Sequence, residues 1–361
     1  VHSGSAKSGS SFTSTRGFER LNANMKPYLL HIHDRPLTMV KFNYDGDFFL
    51  TCAKDGDCCL MRADDCTRVG TYHPVGDKAG AVFAIDVTMD SRYVVTASAD
   101  GKLIFYTFEG EQVHSLNHGG ILKYVEFNQR PGEQNMVVTC NDKFKSSAEL
   151  VPNRIMVWQF QPPKKLLSID NDLPMKATKV KWGPFDETLV SIFEEGYIII
   201  WDAVKGTKIH QMDAHKGPVT GLNFTEDRML MISCSKDMSA KLWSMDEEYT
   251  MVKSFETDRP LNDAAISPLY NAEKDPKYHI LMGGGQDAKD VTTTAGSSGK
   301  FETILWNMVF GEEIGSVKGH FGPMNTLAWR RDGKGFVTGG EDGYVRVHNW
   351  DKDYFTSKKF E

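Results

Sequence analysis

The stretch from Lys318 to Trp350, KGHFGPMNTLAWRRDGKGFVTGGEDGYVRVHNW, decides the fold. It opens on a Gly-His pair, Gly319-His320. Apolar residues fill most positions from Met324 to Trp329. The turn formers Arg331-Asp332-Gly333 separate this run from a second, Phe336 to Gly339. Glu341-Asp342-Gly343 then leads into a third, Tyr344 to His348. Short runs of this composition, divided by turns that demand Asp and Gly, predict three antiparallel strands.

Working outward, the same unit recurs six times upstream. Its three runs fall at 38–43, 48–53 and 57–61; 81–87, 93–97 and 102–106; 122–127, 135–140 and 154–158; 178–182, 188–193 and 197–201; 219–224, 229–234 and 239–243; and 262–267, 279–283 and 301–306. The third runs end at Met61, Tyr106, Trp158, Trp201, Trp243, Trp306 and His348, at intervals of 42 to 63 residues. This pattern resembles the WD repeat, a four-stranded unit of about 40–45 residues. The two longest intervals come from insertions between the second and third runs, at 141–153 and 284–300. An orphan strand, 27–31, precedes the first repeat and supplies the fourth strand that the seventh lacks. The expected architecture is an all-β, seven-bladed propeller over residues 25–361, with its last blade closed by the N-terminal strand, so that no sheet edge is left at the join. Residues 1–24 are rich in Ser and Gly and read as a tail, either a native extension or an expression remnant, with Met25 as the natural start.

Composition agrees. Of 361 residues, 40% are apolar and 25% charged, enough to bury a core, and the net charge of −6 argues against free-standing nucleic-acid binding. No apolar run approaches the roughly 18 residues of a membrane span, and the N-terminal segment lacks the apolar core of a signal peptide. The cysteines Cys52, Cys58, Cys59, Cys66, Cys140 and Cys234 show no C-x-x-C spacing. They read as reduced thiols buried in strands, with adjacent Cys58 and Cys59 on opposite faces, and so point to the cytoplasm. No cofactor or metal site is expected, nor a direct membrane contact or a small-molecule ligand.

The polar residues need care. Repeat five holds His215, Ser233, Asp237 and Trp243, the residue types of a catalytic triad. In a WD blade their spacing instead strings them on one hydrogen-bond chain: tryptophan N–H to hydroxyl, hydroxyl to imidazole, imidazole to carboxylate. A triad is recognised by geometry and role, not by its list of residues. His320, Thr338 and Asp342 form the corresponding set in repeat seven. The four-residue offset recurs at Thr51/Asp55, Thr96/Asp100 and Ser191/Glu195, whereas repeats three and six lack the turn acid. A catalytic site would not recur blade after blade. The run Gly283-Gly284-Gly285-Gln286 lacks the Lys-Ser/Thr of a phosphate loop and reads as a strand end.

Several segments carry a closer resemblance: MKPYLL (25–30), DRPLNDAAISP (258–268), GGGQDAKDVTTT (283–294), GKFE (299–302), VKGHFGPMN (317–325) and GGEDGYVRVH (339–348). They resemble the i-subunit family of eukaryotic translation initiation factor three. That resemblance implies a non-catalytic scaffold that holds a C-terminal helical segment of the b subunit, contacts the g subunit, and supports initiation-complex assembly and scanning on the small ribosomal subunit. It also implies partner contacts at Asp237, Lys241, Arg259, Gln286 and Asp287. The competing readings are a WD adaptor in signalling or ubiquitin-ligase assembly, and a propeller enzyme. The 284–300 insertion is expected to rise from the same face as the 141–153 insertion, anchored at 283–286 near Asp237 and mobile at 295–299.

Overall fold

A computed structural model describes residues 27–74, 80–130, 136–145, 150–170, 173, 176–286 and 300–356. Seven four-stranded antiparallel sheets follow one another in chain order. The innermost strands are Leu37–Phe42, Val82–Val87, Ile121–Phe127, Ala177–Trp182, Val219–Phe224, Leu261–Ile266 and Met324–Trp329. Each packs against the next, and that of blade seven meets that of blade one, closing the ring. Tyr28–His31 is the outer strand of blade seven, paired with its third strand from Tyr28–Val347 to His31–Tyr344.

Strand ends lie mostly within two residues of the expected positions. The second strand of blade three runs on to Asp142, and the third strand of blade six starts at Thr303. Six outer strands have no counterpart among the runs read from sequence: Arg68–Tyr72, Gln112–Asn117, Lys164–Ile169, Lys208–Asp213, Met251–Glu256 and Glu313–Val317. They cover the rim and are mostly exposed, so they lack the apolar alternation that marks a half-buried strand. Two further elements go beyond the sequence reading. The 141–153 insertion, read as a loop, carries a small hairpin of Phe144–Lys145 paired with Leu150–Val151. After the last strand, helix α1 (Lys352–Thr356) packs against blade six. Its Tyr354 is buried, stacks on Trp350 at 4.2 Å and places its hydroxyl 2.7 Å from His279 Nδ1 in blade six.

One irregularity is common to all blades. Every inner strand carries a β-bulge after its first paired residues, so Thr38, Phe83, Lys123, Thr178, Thr220, Asn262 and Asn325 fall out of register. A bulge re-aims a side chain. Here it aims five of these side chains at the neighbouring blade. Thr38 donates to Val82 O, Thr178 to Val219 O, Thr220 to Leu261 O, Asn262 to Met324 O and Asn325 to Leu37 O, at 2.7–2.9 Å. Buried carboxylates add a second set of latches. Asp86, Glu126 and Asp263 accept the backbone N–H of Phe127, Trp182 and Leu327 in the following blade. All six cysteines are free and buried, and Cys58 and Cys59 face different core clusters.

Candidate protein-interaction site

The turns between second and third strands share a face with the links between blades, because each blade crosses the disc four times. On that face, the turn of blade five, the link to blade six and the end of the second strand of blade six are laced together. Thr257 N–H donates to Met238 O at 2.8 Å, and Gly285 N–H donates to Pro260 O at 2.9 Å. This lacing draws together the backbone that carries Asp237, Arg259 and Gln286, with Asp237 and Gln286 half-buried and Arg259 buried. Asp287 lies outside the described residues, as do residues 295–299. The Gly283–Gln286 strand end is anchored on Pro260. A Cβ on Gly283 would stand 1.5 Å from Met324 Cε, and one on Gly284 would stand 2.2 Å from Pro260 O. The glycines are there for close packing of blade six on its neighbours.

Behind this surface runs the chain of blade five. Trp243 Nε1–H donates to Ser233 Oγ at 2.9 Å, Ser233 Oγ stands 2.8 Å from His215 Nε2, and His215 Nδ1 stands 3.2 Å from Asp237 Oδ2. Burial holds the His215 pKa below its usual value, against the pull of Asp237. The neutral ring donates from Nδ1 to the carboxylate and accepts the serine hydroxyl at Nε2. Burial opposes ionisation of Asp237 as well, but the Ser239 hydroxyl, the Lys216 N–H and the His215 ring together hold its pKa low. Both of its oxygens are occupied: Oδ2 by Lys216 N and His215, Oδ1 by Ser239 N and Oγ. Ser233 is fully buried and bonded on both sides, so its hydroxyl meets no substrate.

The same geometry recurs around the ring. His33 meets Thr51 and Asp55 in blade one, and His320 meets Thr338 at 2.8 Å and Asp342 at 3.1 Å in blade seven. There His348 takes the tryptophan's place and stacks on Phe336 at 4.5 Å. One set escaped sequence reading: His118, Thr139 and Trp158 in blade three, at 3.0 and 3.2 Å.

The remaining candidates are tied down to different degrees. Lys241 Nζ donates to Ala214 O at 2.5 Å. Arg259 is only 6% exposed; it bonds Asp258 Oδ1 at 2.7 Å and Lys300 O at 3.2 Å, and pairs with Glu302 at 3.7 Å. Asp258 also binds Lys300 at 2.6 Å. Burial notwithstanding, the Arg259 and Lys300 cations bring its carboxyl down to about 2. Around Arg259 the charges alternate, with Asp258 exposed and Asp237 and Gln286 half-buried, whereas half-buried Lys241 reaches to the link between blades four and five. Among the described residues no group of three or more His, Cys, Asp or Glu could hold a metal ion, and no helix is long and apolar enough to cross a membrane.

Seven repeated blades, three of which carry a bonded histidine–hydroxyl–acid set, define a WD-repeat β-propeller. The chain belongs to the EIF3I family, whose model matches residues 25–361. Among its relatives are proteins named eukaryotic translation initiation factor 3 subunit I. The Bombyx mori protein is 33% identical, over 92% of this chain and 97% of its own length. That of Pyricularia oryzae is 36% identical, over 92% and 94%, and that of Schizosaccharomyces pombe 33% identical, over 92% and 99%.

Proposed function

We propose that this chain is a non-catalytic scaffold subunit of translation initiation factor 3. In this reading it holds a C-terminal helical segment of the b subunit and contacts the g subunit, and through them it supports assembly and scanning on the small ribosomal subunit in the cytoplasm. The observation that carries the reading is the match to subunit I proteins along nearly their whole length, 97% and 99% in two of them. The polar chemistry supports the scaffold part: the serine-histidine-aspartate set of blade five, with its tryptophan, is sealed by its own hydrogen bonds.

The partner region is the surface between blades five and six that carries Asp237, Lys241, Arg259 and Gln286, with Asp287 beside them in sequence. Asp237 has no free lone pair and acts there through its charge. A charged group truncated or reversed in a buried contact costs a complex roughly 2–5 kcal/mol. The test is binding of the C-terminal segment of the b subunit, measured by calorimetry, with co-purification of small ribosomal subunits alongside. Asp237→Lys and Gln286→Ala should each weaken binding. Unchanged affinity in both variants, with the fold intact, places the contact elsewhere.

A further inference from the structure

The ring encloses a channel of about 530 Å³, within the range of small-ligand sites. Its charges are arranged asymmetrically. Lys41 pairs with Asp86 at 2.6 Å, Lys179 with Asp263 at 3.6 Å and Lys181 with Glu126 at 3.8 Å. In each pair the acid is the more deeply recessed partner. The side chains of Asp86, Asp263 and Glu126 are 2%, 6% and 4% exposed, whereas those of Lys41, Lys179 and Lys181 are 25%, 24% and 11% exposed. The carboxylates are held back because they latch the next blade's backbone. The amines are what the lumen meets, in a molecule whose net charge is −6.

Lys123 adds a further cation to this wall. It occupies the bulge position, where five other blades place a Thr or Asn that bonds the next blade. Lys123 instead stands 4.1 Å over the ring of Phe83, the bulge residue of blade two, and lines the channel. No carboxylate among the described residues lies within ion-pair distance of its amine. Burial and the nearby Lys176 lower its pKa, against the weaker pull of Asp142 and Glu194. The mouth on the opposite face is crossed by Arg331, which binds Glu226 of blade five at 3.0 Å and covers Tyr44 of blade one at 3.8 Å. In the lining, Lys41, Lys54, Lys123, Lys179, Lys181 and Arg331 outnumber Glu226, Asp263 and Glu341, and such a cationic excess in a concave site concentrates anions.

We infer that the channel is a binding site for a small polyanion bearing phosphate or carboxylate groups, which enters from the link face and is held by Lys41, Lys123 and Lys179. This site is separate from the blade five–six surface and does not depend on it.

The test uses the whole chain and calorimetric titration with pyrophosphate and with citrate, at matched ionic strength. Saturable binding of either probe is expected. Pyrophosphate alone assigns a phosphate ligand, citrate alone a carboxylate ligand, and both assign any compact polyanion. Lys123→Met should bind about tenfold more weakly, the worth of one charge-assisted contact. Lys123→Arg should restore binding, because it keeps the charge and the stacking on Phe83. Lys123→Met leaves no described carboxylate without a partner, so its melting temperature without ligand should match the wild type. Lys179→Met, from the inner strand of the neighbouring blade four, should weaken binding as well. Absence of saturable binding by both probes overturns the inference, as does wild-type affinity in Lys123→Met and Lys179→Met.

Discussion

Blades five and six share a backbone and differ in what stands behind the third-strand tryptophan. In blade five, Trp243 pairs in register with Met231, and two residues further along that strand Ser233 receives its N–H. In blade six, Trp306 pairs with Ile280, and two residues further along stands Met282. The Trp306 N–H has no partner among the described residues. Blade six is held by other means. Gly283 admits the Met324 side chain, Trp306 meets Phe255 edge-on at 5.9 Å, and α1 closes over His279. One blade is pinned by a hydrogen-bond chain and its neighbour by apolar packing, yet both keep four strands. The polar chain is one way of fixing the turn against the preceding link, and the ring tolerates its loss because stability is shared between neighbouring repeats.

Acid should break this comparison most strongly. Blades three and seven hold buried imidazoles, whereas blade six has no counterpart at that turn. Burial pushes His118 down to about 4 and His348 down to about 3, against an ordinary 6.5. Between those values the unfolded chain binds protons that the folded chain refuses. Stability is therefore full above the unfolded value and falls as pH drops below it, by about 1.4 kcal/mol per unit for each ring. At pH 5 the two histidines together should remove roughly 4 kcal/mol, measured as a shift in the urea midpoint. His118→Gln should flatten part of that slope; an unchanged slope would show that His118 titrates normally.

Next in size is Ser233→Ala. It deprives Trp243 and His215 of their partner at once, and orphaning buried polar groups costs roughly 1–3 kcal/mol. Thermal unfolding should show the loss. A melting temperature equal to the wild type would mean that water replaces the hydroxyl and that the chain does not pin the blade.

How much of this was legible in sequence follows from where each residue sits. The inner three strands were readable because alternating apolar runs end in Asp-Gly turns. The outer strands were not: in Lys208–Asp213 only Met212 is buried, so no face declares itself. The blade-three set of His118, Thr139 and Trp158 escaped because the hairpin insertion separates Thr139 from Trp158 by 19 residues, where Ser233 and Trp243 stand 10 apart. Resemblance pointed to Arg259 and Gln286, but only the fold shows how tightly Arg259 is bound by its neighbours. The channel lysines gave no signal. Lys41, Lys123, Lys179 and Lys181 alternate with apolar residues as any solvated strand face does, and only closure of the ring turns that face inward. The bulge that aims Lys123 adds one residue without changing the composition of the strand.

The smallest effect gives the sharpest comparison. Trp243→Phe and Trp306→Phe make the same chemical change at equivalent positions of neighbouring blades. Both remove an indole N–H and keep an aromatic ring in the core. In blade five the change leaves Ser233 with His215 as its remaining side-chain partner and forfeits one hydrogen bond, worth about 1 kcal/mol net. In blade six it removes a donor that has no partner among the described residues, so the desolvation cost of that N–H disappears along with some packing area. These two terms oppose each other, and the net change should lie within about 0.5 kcal/mol of zero. The lost ring area is common to both variants and cancels in the difference. Trp243→Phe should therefore melt lower than Trp306→Phe, by a gap that combines the lost hydrogen bond of blade five with the relief of the unpartnered N–H of blade six. Equal melting temperatures would show that the Trp243–Ser233 contact adds nothing to stability, and that the two blades differ in composition without differing in how they are held.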